Sequence, residues 1–186
     1  MGVEIIYLPA EALVAEQNQI VDVYREAFGP PPYNESEADV RLFAGSLGRR
    51  WRRSGFRYVA ARDSRRGRIV GFAFGYTCKP GQWWRDTVVS ALAPAAVNRW
   101  LANAFELVEL AVTPAFQGHG FGSRLHDALL AGLPHKTAVL STIQSETVAL
   151  KLYRRRGWVT LLSDFAFPGG ERTFRIMGRE LQTLAK

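Results

Sequence analysis

The chain has 186 residues, of which 47% are hydrophobic and 22% are charged, an ordinary composition for a soluble globular protein. No apolar run approaches the roughly 20 residues of a membrane-spanning helix. The single cysteine, Cys78, excludes an internal disulfide and a cysteine-cluster metal site, and it fits a cytoplasmic location. The formal net charge of +7 fits either solvated helix and loop faces or the attraction of an anionic ligand, and charge alone does not distinguish a phosphate-bearing small molecule from a nucleic acid.

The first third of the chain predicts one short strand and two amphipathic helices. Residues 1–8 are predicted to be a strand rather than a signal peptide, because Glu4 and Tyr7 interrupt the apolar run and no basic leader precedes it. Apolar residues then recur at helical spacing from about Ala10 to Phe28, where a run of prolines ends the helix. Ser36 and Asp39 have the spacing of a capping box for a second helix, from about Glu37 to Arg53.

The middle of the chain predicts a hairpin followed by an insertion. Phe56–Arg62 and Arg68–Thr77 are rich in aromatic and branched residues and flank a polar turn, which is typical of two paired strands. Residues Lys79–Asn103 break this rhythm with tryptophans and prolines, and they predict one or two short helices. The segment is too short to build a core of its own, so we expect it to be an insertion within the domain.

The remaining elements alternate between strands and helices. In order, they are a strand at Ala104–Val112, a helix at Phe121–Leu133, a strand at Thr137–Thr142, a helix at Ser145–Arg155, and a hairpin of Trp158–Phe167 with Arg172–Glu180. This order predicts an α/β protein with a mixed central sheet and helices on both faces. We expect a single domain over residues 1–186, with residues 79–103 inserted between its third and fourth strands.

A glycine-rich turn, Gln117–Gly122, joins the strand at Ala104–Val112 to the following helix. Its alternating glycines allow the backbone to approach a ligand closely. Since the first N–H groups of a helix are unpaired and its dipole is positive there, the turn predicts a phosphate site. A P-loop would need a lysine before Ser123, and a dinucleotide fingerprint would need its third glycine one place after Gly122.

With these motifs the chain resembles the GNAT superfamily of acetyl-coenzyme A-dependent N-acetyltransferases. In that family a strand ending in Leu-Ala-Val-x-Pro, here Leu110–Pro114, leads into Gln-x-x-Gly-x-Gly, here Gln117–Gly122. About 30 residues downstream the family has a helix with Asn-x-x-Ala-x-x-Leu-Tyr and then Gly-Phe. The matching residues are Glu146–Tyr153, followed by Gly157 and Trp158. The order of elements also matches over nearly the whole chain.

The resemblance implies a three-layer fold with a mostly antiparallel sheet and acetyl-CoA as co-substrate, with no metal. The residues that it places at the coenzyme are Leu110, Ala111, Val112, Gln117, Gly118, His119, Gly120, Phe121, Gly122, Ser123, Ser145 and Glu146. The strand residues among them act through their backbone. Glu146 replaces the family's usual asparagine, and a carboxylate does not donate a hydrogen bond unless it is protonated, so Ser145 is the alternative donor.

Tyr153 matches the family's general acid, a phenol near the coenzyme sulfur. For the general base the strand offers Glu106 and Glu109, and water acting alone is a third alternative. Glu106 is favoured because the acid–base residue of several family members lies five places before the alanine of Leu-Ala-Val. Strict alternation along the strand would place Glu106 with Val108, Leu110 and Val112, and Glu109 on the opposite face.

The acceptor is expected to be a primary amine of a small molecule, bound by Tyr33, Glu35, Trp83 and Trp84 through carboxylates and aromatic faces. Acetylation of a protein N-terminus or lysine is an alternative, and a non-enzymatic coenzyme- or nucleic-acid-binding module is another. The sequence has no nucleic-acid-binding signature and no histidine spacing typical of a metal site. We therefore expect no nucleic-acid, membrane or metal partner, and a homodimer is left open.

Overall fold

A computed structural model describes residues 2–181 of the chain. Met1 and residues 182–186, which belong to the predicted domain, lie outside the described residues. The strands are β1 Val3–Leu8, β2 Arg57–Asp63, β3 Arg68–Cys78, β4 Ala104–Val112, β5 Thr137–Ile143, β6 Val159–Ala166 and β7 Thr173–Glu180. The helices are α1 Ala12–Ala15, α2 Gln17–Phe28, α3 Glu37–Arg50, α4 Trp83–Ala91, α5 Pro94–Trp100, α6 Phe121–Leu130 and α7 Val148–Arg155, with a 3-10 turn at Pro114–Phe116.

Over residues 2–181 the strands form one seven-stranded mixed sheet in the order β1-β2-β3-β4-β5-β7-β6. Strands β1, β2 and β3 are antiparallel neighbours, and so are β5, β7 and β6. The exception is β5, which runs parallel to β4 over the pairs from Ala104↔Thr137 to Glu106↔Val139. The predicted mixed and mostly antiparallel α/β fold is therefore confirmed.

The described chain divides into two compact units. Within the described residues, the first contains residues 2–76 and 108–131, and the second contains residues 77–107 and 132–181. Strands β3 and β4 each contribute residues to both units.

The core of the first unit lies between its strands and helices α1 to α3. Leu13 and Ile20 from the helices, with Phe72 and Phe74 from β3, are fully buried in it. Helix α3 begins as predicted, because the Ser36 hydroxyl accepts a hydrogen bond from the Asp39 amide while the Asp39 carboxylate accepts one from the Ser36 amide.

Several predicted helix boundaries were wrong, and among them the end of α3 lies at Arg50 rather than near Arg53. The helix from about Ala10 to Phe28 is interrupted at Glu16, whose carboxylate pairs with Arg62 and accepts a hydrogen bond from Tyr58 of β2. Helical periodicity does not reveal such a tertiary contact. Helix α6 ends at Leu130 before Gly132, and α7 begins at Val148 because Thr147 is its N-cap.

The predicted insertion forms helices α4 and α5 and packs within the second unit. Val88, Trp100 and Leu101 of this segment share a buried cluster with Val139 of β5 and Ile176 of β7. Trp100 lies directly over Gly178, where an added Cβ would be 2.6 Å from Trp100 Cε3. The segment thus shares its core with the strands on which it packs.

Side chains do not alternate strictly along β4. Leu110 and Val112 face α6, because the side chains of both would lie within 4 Å of a Cβ added at Gly122. Ala111 and Val108 pack on the core that α2 and α3 build, so Val108 does not share the face of Leu110 and Val112. The strict alternation predicted along this strand was wrong. Residues 108 and 111 are three positions apart and would point to opposite faces of a regular strand, so β4 is irregular between them. The first-unit sheet therefore carries helices on both faces.

Candidate active site

The glycine turn of the first unit is shaped by local hydrogen bonds. The Thr113 amide donates to the Val70 carbonyl of β3 at 2.9 Å, which fixes the end of β4. The Gln117 side-chain amide donates to the Val112 carbonyl at 2.9 Å, and the His119 imidazole Nδ1 lies 2.8 Å from the Gln117 carbonyl. The side chain of Gln117 therefore stabilises the turn, and it supports a bound ligand indirectly by holding the backbone of the turn in place.

Two of the three glycines are required by the backbone conformation. Gly118 and Gly120 have φ of +77° and +80°, and an added Cβ at either would meet no atom within 4 Å. Gly122 has ordinary helical φ and only van der Waals neighbours for an added Cβ. The turn is thus an open concave backbone that leads straight into α6, with the helix N-terminus available to an anion.

A pocket of about 260 Å³ lies on the other side of β4, also within the first unit. The residues lining it combine an aromatic wall, three carboxylates and one guanidinium. They are Tyr24, Glu35, Asp39, Leu42, Phe43, Arg50 and Glu109. In a chain with a formal charge of +7, this pocket concentrates negative charge at one place.

Glu109 is the titratable centre of this pocket. Burial raises the pKa of its carboxyl to about 7, with Glu35 raising it further and Arg50 opposing the shift. Burial also raises the pKa of the Tyr24 phenol far above its usual range, with help from Glu109 and Glu35, so Tyr24 remains neutral. A carboxyl that titrates near neutrality is suited to accept a proton and then release it.

The pocket walls are held by packing. The rings of Tyr24 and Phe43 are stacked with centroids 3.9 Å apart. The Arg50 guanidinium lies over the rings of Phe43 and Phe74, at 6.0 and 5.7 Å from their centroids. Among residues 2–181, no group of three or more His, Cys, Asp or Glu is arranged to hold a metal ion, so the three carboxylates do not form such a site.

The two predicted acceptor residues of the first unit, Tyr33 and Glu35, have different environments in the structure. Glu35 lines the pocket, and its amide donates to the Phe28 carbonyl at 2.9 Å. Tyr33 contacts the edge of Phe28, with ring centroids 4.9 Å apart, and it is not among the lining residues. The neighbouring Glu37 pairs with Arg25 at 2.8 Å on the exposed face of the helices.

Glu106, the other predicted base, lies in the second unit. It is 4% exposed. Burial of Cys78 is the main cause that raises the pKa of its thiol to about 12, and the nearby Glu106 contributes to the same shift. Cys78 is therefore a neutral packing residue. Arg85 of α4 opposes this shift, so the insertion brings a cation to the same buried region.

Helix α7 carries the predicted acid. Tyr153 is 6% exposed, and its ring centroid lies 5.7 Å from that of Trp158. Thr147 caps the helix by accepting a hydrogen bond from the Leu150 amide at 3.0 Å. Glu146 is exposed and pairs with Arg154 at 2.7 Å, which lowers the pKa of its carboxyl, so it is a carboxylate and accepts rather than donates.

The two predicted tryptophans of the insertion have different environments. Trp84 is partly buried and donates from Nε1 to the Ser141 hydroxyl at 3.2 Å. Trp83 is 61% exposed and packs on Phe167, with ring centroids 5.3 Å apart. Of the two, Trp83 is the one with a face available to a ligand.

Tyr24 and Arg50 were missed as site residues by the sequence analysis. Tyr24 lies in the predicted helix from about Ala10 to Phe28 and Arg50 in the predicted helix from about Glu37 to Arg53, and no functional motif marks either residue. The available signal was spacing, because Phe43, Leu47 and Arg50 follow at steps of four and three and so share one helix face. An arginine on a buried helix face requires neighbours that stabilise its charge, and for Arg50 these are the carboxylates that line the pocket.

Comparison with known proteins agrees with this geometry. The model of the acetyltransferase (GNAT) family matches residues 18–158. A GCN5-like protein acetyltransferase of Mycobacterium tuberculosis is 38% identical over 121 residues, which are 61% of this chain and 59% of that protein's length.

Solved structures share the fold at low identity. The phosphinothricin acetyltransferase of Sinorhizobium meliloti, in complex with AcCoA, has a TM-score of 0.59 at 20% identity, covering 97% of this chain and 89% of that one. The ribosomal-protein-S18-alanine N-acetyltransferase of Escherichia coli has a TM-score of 0.63 at 17% identity, covering 99% and 97%. Since the family model matches most of the chain, from the α2 helix through the glycine turn to Trp158, the chain belongs to the GNAT acetyltransferase family.

Proposed function

We propose that this protein transfers the acetyl group of acetyl-CoA to a primary amine, and that the acceptor is a small cationic molecule. The observation that carries the proposal is Glu109, a carboxyl that titrates near pH 7 in an acidic and aromatic pocket. It stands on the strand that leads into the open glycine turn. Membership of the family supplies the reaction type.

The glycine turn fits the pyrophosphate of the donor. Its two positive-φ glycines leave space where side chains would otherwise stand, and α6 begins immediately after them. The pairing of β4 with β5 ends at Glu106, while β4 continues to Val112. The backbone of Leu110, Ala111 and Val112 is thus the segment along which the pantetheine arm would pair.

Glu109 would act as the general base. An ammonium acceptor must lose a proton before its nitrogen can attack the thioester carbonyl, and Glu109 takes that proton. The N–C bond then forms, and the nitrogen loses its second proton to water. The C–S bond breaks as the leaving thiolate takes a proton from the phenol of Tyr153, which water then reprotonates. Glu106 stays the alternative base that the sequence favours, and its near-complete burial is the feature that counts against exchange of protons with solvent.

The acceptor class follows from the charge and size of the pocket. Glu35, Asp39 and Glu109 outnumber Arg50, so a cation is favoured there over an anion. The stacked rings of Tyr24 and Phe43 offer apolar and π surface to an alkyl chain or an ammonium group. A volume of about 260 Å³ accommodates one small amine.

A lysine side chain has the same chemistry, and the description of the mycobacterial relative as a protein acetyltransferase favours it as a second candidate acceptor. Trp83 and Trp84 remain predicted acceptor contacts. An exposed Trp83 beside Phe167 would serve either kind of acceptor.

The test is acetyl-CoA consumption by the whole protein across diamines, arylalkylamines, amino acids, aminoglycosides and lysine peptides, with products identified by mass spectrometry. Acetylation of small amines with the best kcat/KM supports the proposal, and a preference for peptides supports the second candidate. Absence of turnover with every amine, in a protein that binds acetyl-CoA by calorimetry, would contradict both.

A further inference from the structure

We propose that Arg50 and Glu35 are opposed positioning residues, which together set the pH range in which Glu109 is ionised and able to accept a proton. The inference rests on the proposed function, because it concerns the base of that reaction. It assigns roles to two side chains that touch no reacting atom.

Arg50 is held in place beside Glu109 by the core. Its guanidinium lies over the rings of Phe43 and Phe74, and both Arg50 and Glu109 line the same pocket. Its Nη1 is buried and has no hydrogen-bond partner within residues 2–181. A fixed cation near a carboxyl stabilises the ionised form of that carboxyl.

Glu35 acts in the opposite sense from a different element. Its amide is fixed to the Phe28 carbonyl at the end of α2, which places the side chain at the pocket wall. A second carboxylate near Glu109 disfavours a further negative charge, so it stabilises the protonated form of Glu109.

The other polar groups of the pocket do not replace this pair. Tyr24, from α2, is a neutral phenol, since burial raises its pKa far above its usual range. Asp39, from α3, accepts hydrogen bonds from the Ser36 amide and hydroxyl at 2.8 and 2.6 Å, so its carboxylate takes part in the helix cap. The groups that act on the pKa of Glu109 after burial are Arg50, which lowers it, and Glu35, which raises it.

The sign of each effect gives a direct test. With the pKa of Glu109 at about 7, kcat/KM in wild type should rise with pH and level off above neutrality. Arg50→Gln should move this acid limb to higher pH by roughly one unit, and Glu35→Gln should move it to lower pH by a similar amount. The double variant should return the limb close to its wild-type position.

Matched variants separate charge from packing. Arg50→Lys retains the cation and should restore most of the wild-type limb, although it packs differently on Phe43. Arg49→Gln removes the same charge from the adjacent exposed position, which does not line the pocket, and should leave the limb where it is. Circular dichroism and the melting temperature confirm that each variant is folded.

A readout independent of turnover is the ¹³C chemical shift of the Glu109 carboxyl during a pH titration, assigned with Glu109→Gln. It should show the same opposite displacements in Arg50→Gln and Glu35→Gln, whether or not the tested amines are substrates. Displacement of both variants in one direction, or no displacement in either, overturns the inference. Wild-type protein that acetylates no amine while the titration behaves as expected would instead overturn the proposed function.

Discussion

Glu109 and Glu106 lie three positions apart on one strand, and their surroundings give them different chemistry. Glu109 borders a pocket with other titratable groups, whereas Glu106 is 4% exposed beside a buried thiol. We expect Glu109→Gln to reduce kcat/KM at pH 8 by about 10²–10⁴-fold, because a positioned base contributes that much. The acid limb of the pH profile should disappear with it.

Glu106→Gln provides the comparison in the same strand. If Glu106 is structural, its neutral isostere should retain the acid limb and change the melting temperature more than the rate. A pH-dependent defect in Glu106→Gln, with normal kinetics for Glu109→Gln, would return the role of base to Glu106.

Tyr153 is predicted to protonate the leaving thiolate. Tyr153→Phe keeps the ring that packs 5.7 Å from Trp158 and removes only the hydroxyl, so the fold should persist. The loss should appear in kcat, at about 10²–10⁴-fold, with little change in the KM of either substrate. Full activity of this variant in steady-state assays would remove Tyr153 from the mechanism.

The sequence located the candidate carboxylates but not the environment that distinguishes them. Motif spacing indicated Glu106 and Tyr153, and Glu109 was considered as the second carboxylate of the same strand. Burial raises the pKa of Glu109, Arg50 lowers it and Glu35 raises it, and both of these residues come from other segments of the chain. Burial by distant segments leaves no local pattern in the sequence. The sequence alone therefore gives no physical reason to prefer one of the two carboxylates as the base.

The glycine turn makes its own prediction, which concerns binding of the donor. Gly120→Asp would place a Cβ and a carboxylate in the open concave backbone before α6, where a phosphate is expected, so coenzyme A should no longer bind in calorimetry. Gly67→Asp is the matched control. It has a similar φ of +65° and equal space, but it lies in the turn between β2 and β3.

Both variants carry the same backbone strain and the same added charge. Unchanged affinity in a folded Gly120→Asp, or equal loss of affinity in Gly67→Asp, would show that the turn does not hold the phosphates.

Gly71 of β3 sets how closely α6 approaches the sheet. An added Cβ there would lie 2.9 Å from the Ala111 carbonyl oxygen and 3.2 Å from Leu125 Cδ1 of α6. We expect Gly71→Ala to destabilise the protein by roughly 1–3 kcal/mol in urea unfolding, as overpacking does, and to weaken coenzyme binding.

Gly45→Ala, in α3, should have the opposite effect on unfolding. Its Cβ would meet no atom within 4 Å, and alanine in a helix is favoured over glycine by about 0.5–1 kcal/mol. If both substitutions stabilise the protein, the close packing of α6 on β3 is not a constraint.

Elements with strong local signals were predicted well. The capping box of α3 and the hairpin of β2 with β3 follow from capping and turn chemistry, both of which are local. The position of β7 between β5 and β6, and the break at Glu16, depend on contacts distant in sequence. Such contacts have no short-range signature.

The distribution of charge over the protein gives opposite expectations for the two substrates. A net charge of +7 attracts an anionic donor from a distance, whereas a cationic acceptor is repelled except near the acidic pocket. Raising KCl from roughly 0.05 to 0.5 M shortens the screening length several-fold. We therefore expect the KM of acetyl-CoA to rise and the KM of the amine to fall or stay constant in steady-state kinetics.

A neutral acceptor analogue is the control for this experiment, since its KM should not respond to salt through long-range charge. Parallel increases in both KM values would indicate a general salt effect on the protein rather than screening.

The contact between Trp100 and Gly178 restricts how this protein can diverge or be engineered. With the indole occupying the space above position 178, even alanine there would displace it, and the loss would spread to helix α5. A relative without residues 79–103 would be free to carry any β-compatible side chain at the equivalent place. Transplanting the segment into such a relative would therefore require a glycine on the recipient strand first, because any side chain at that position would collide with the incoming indole.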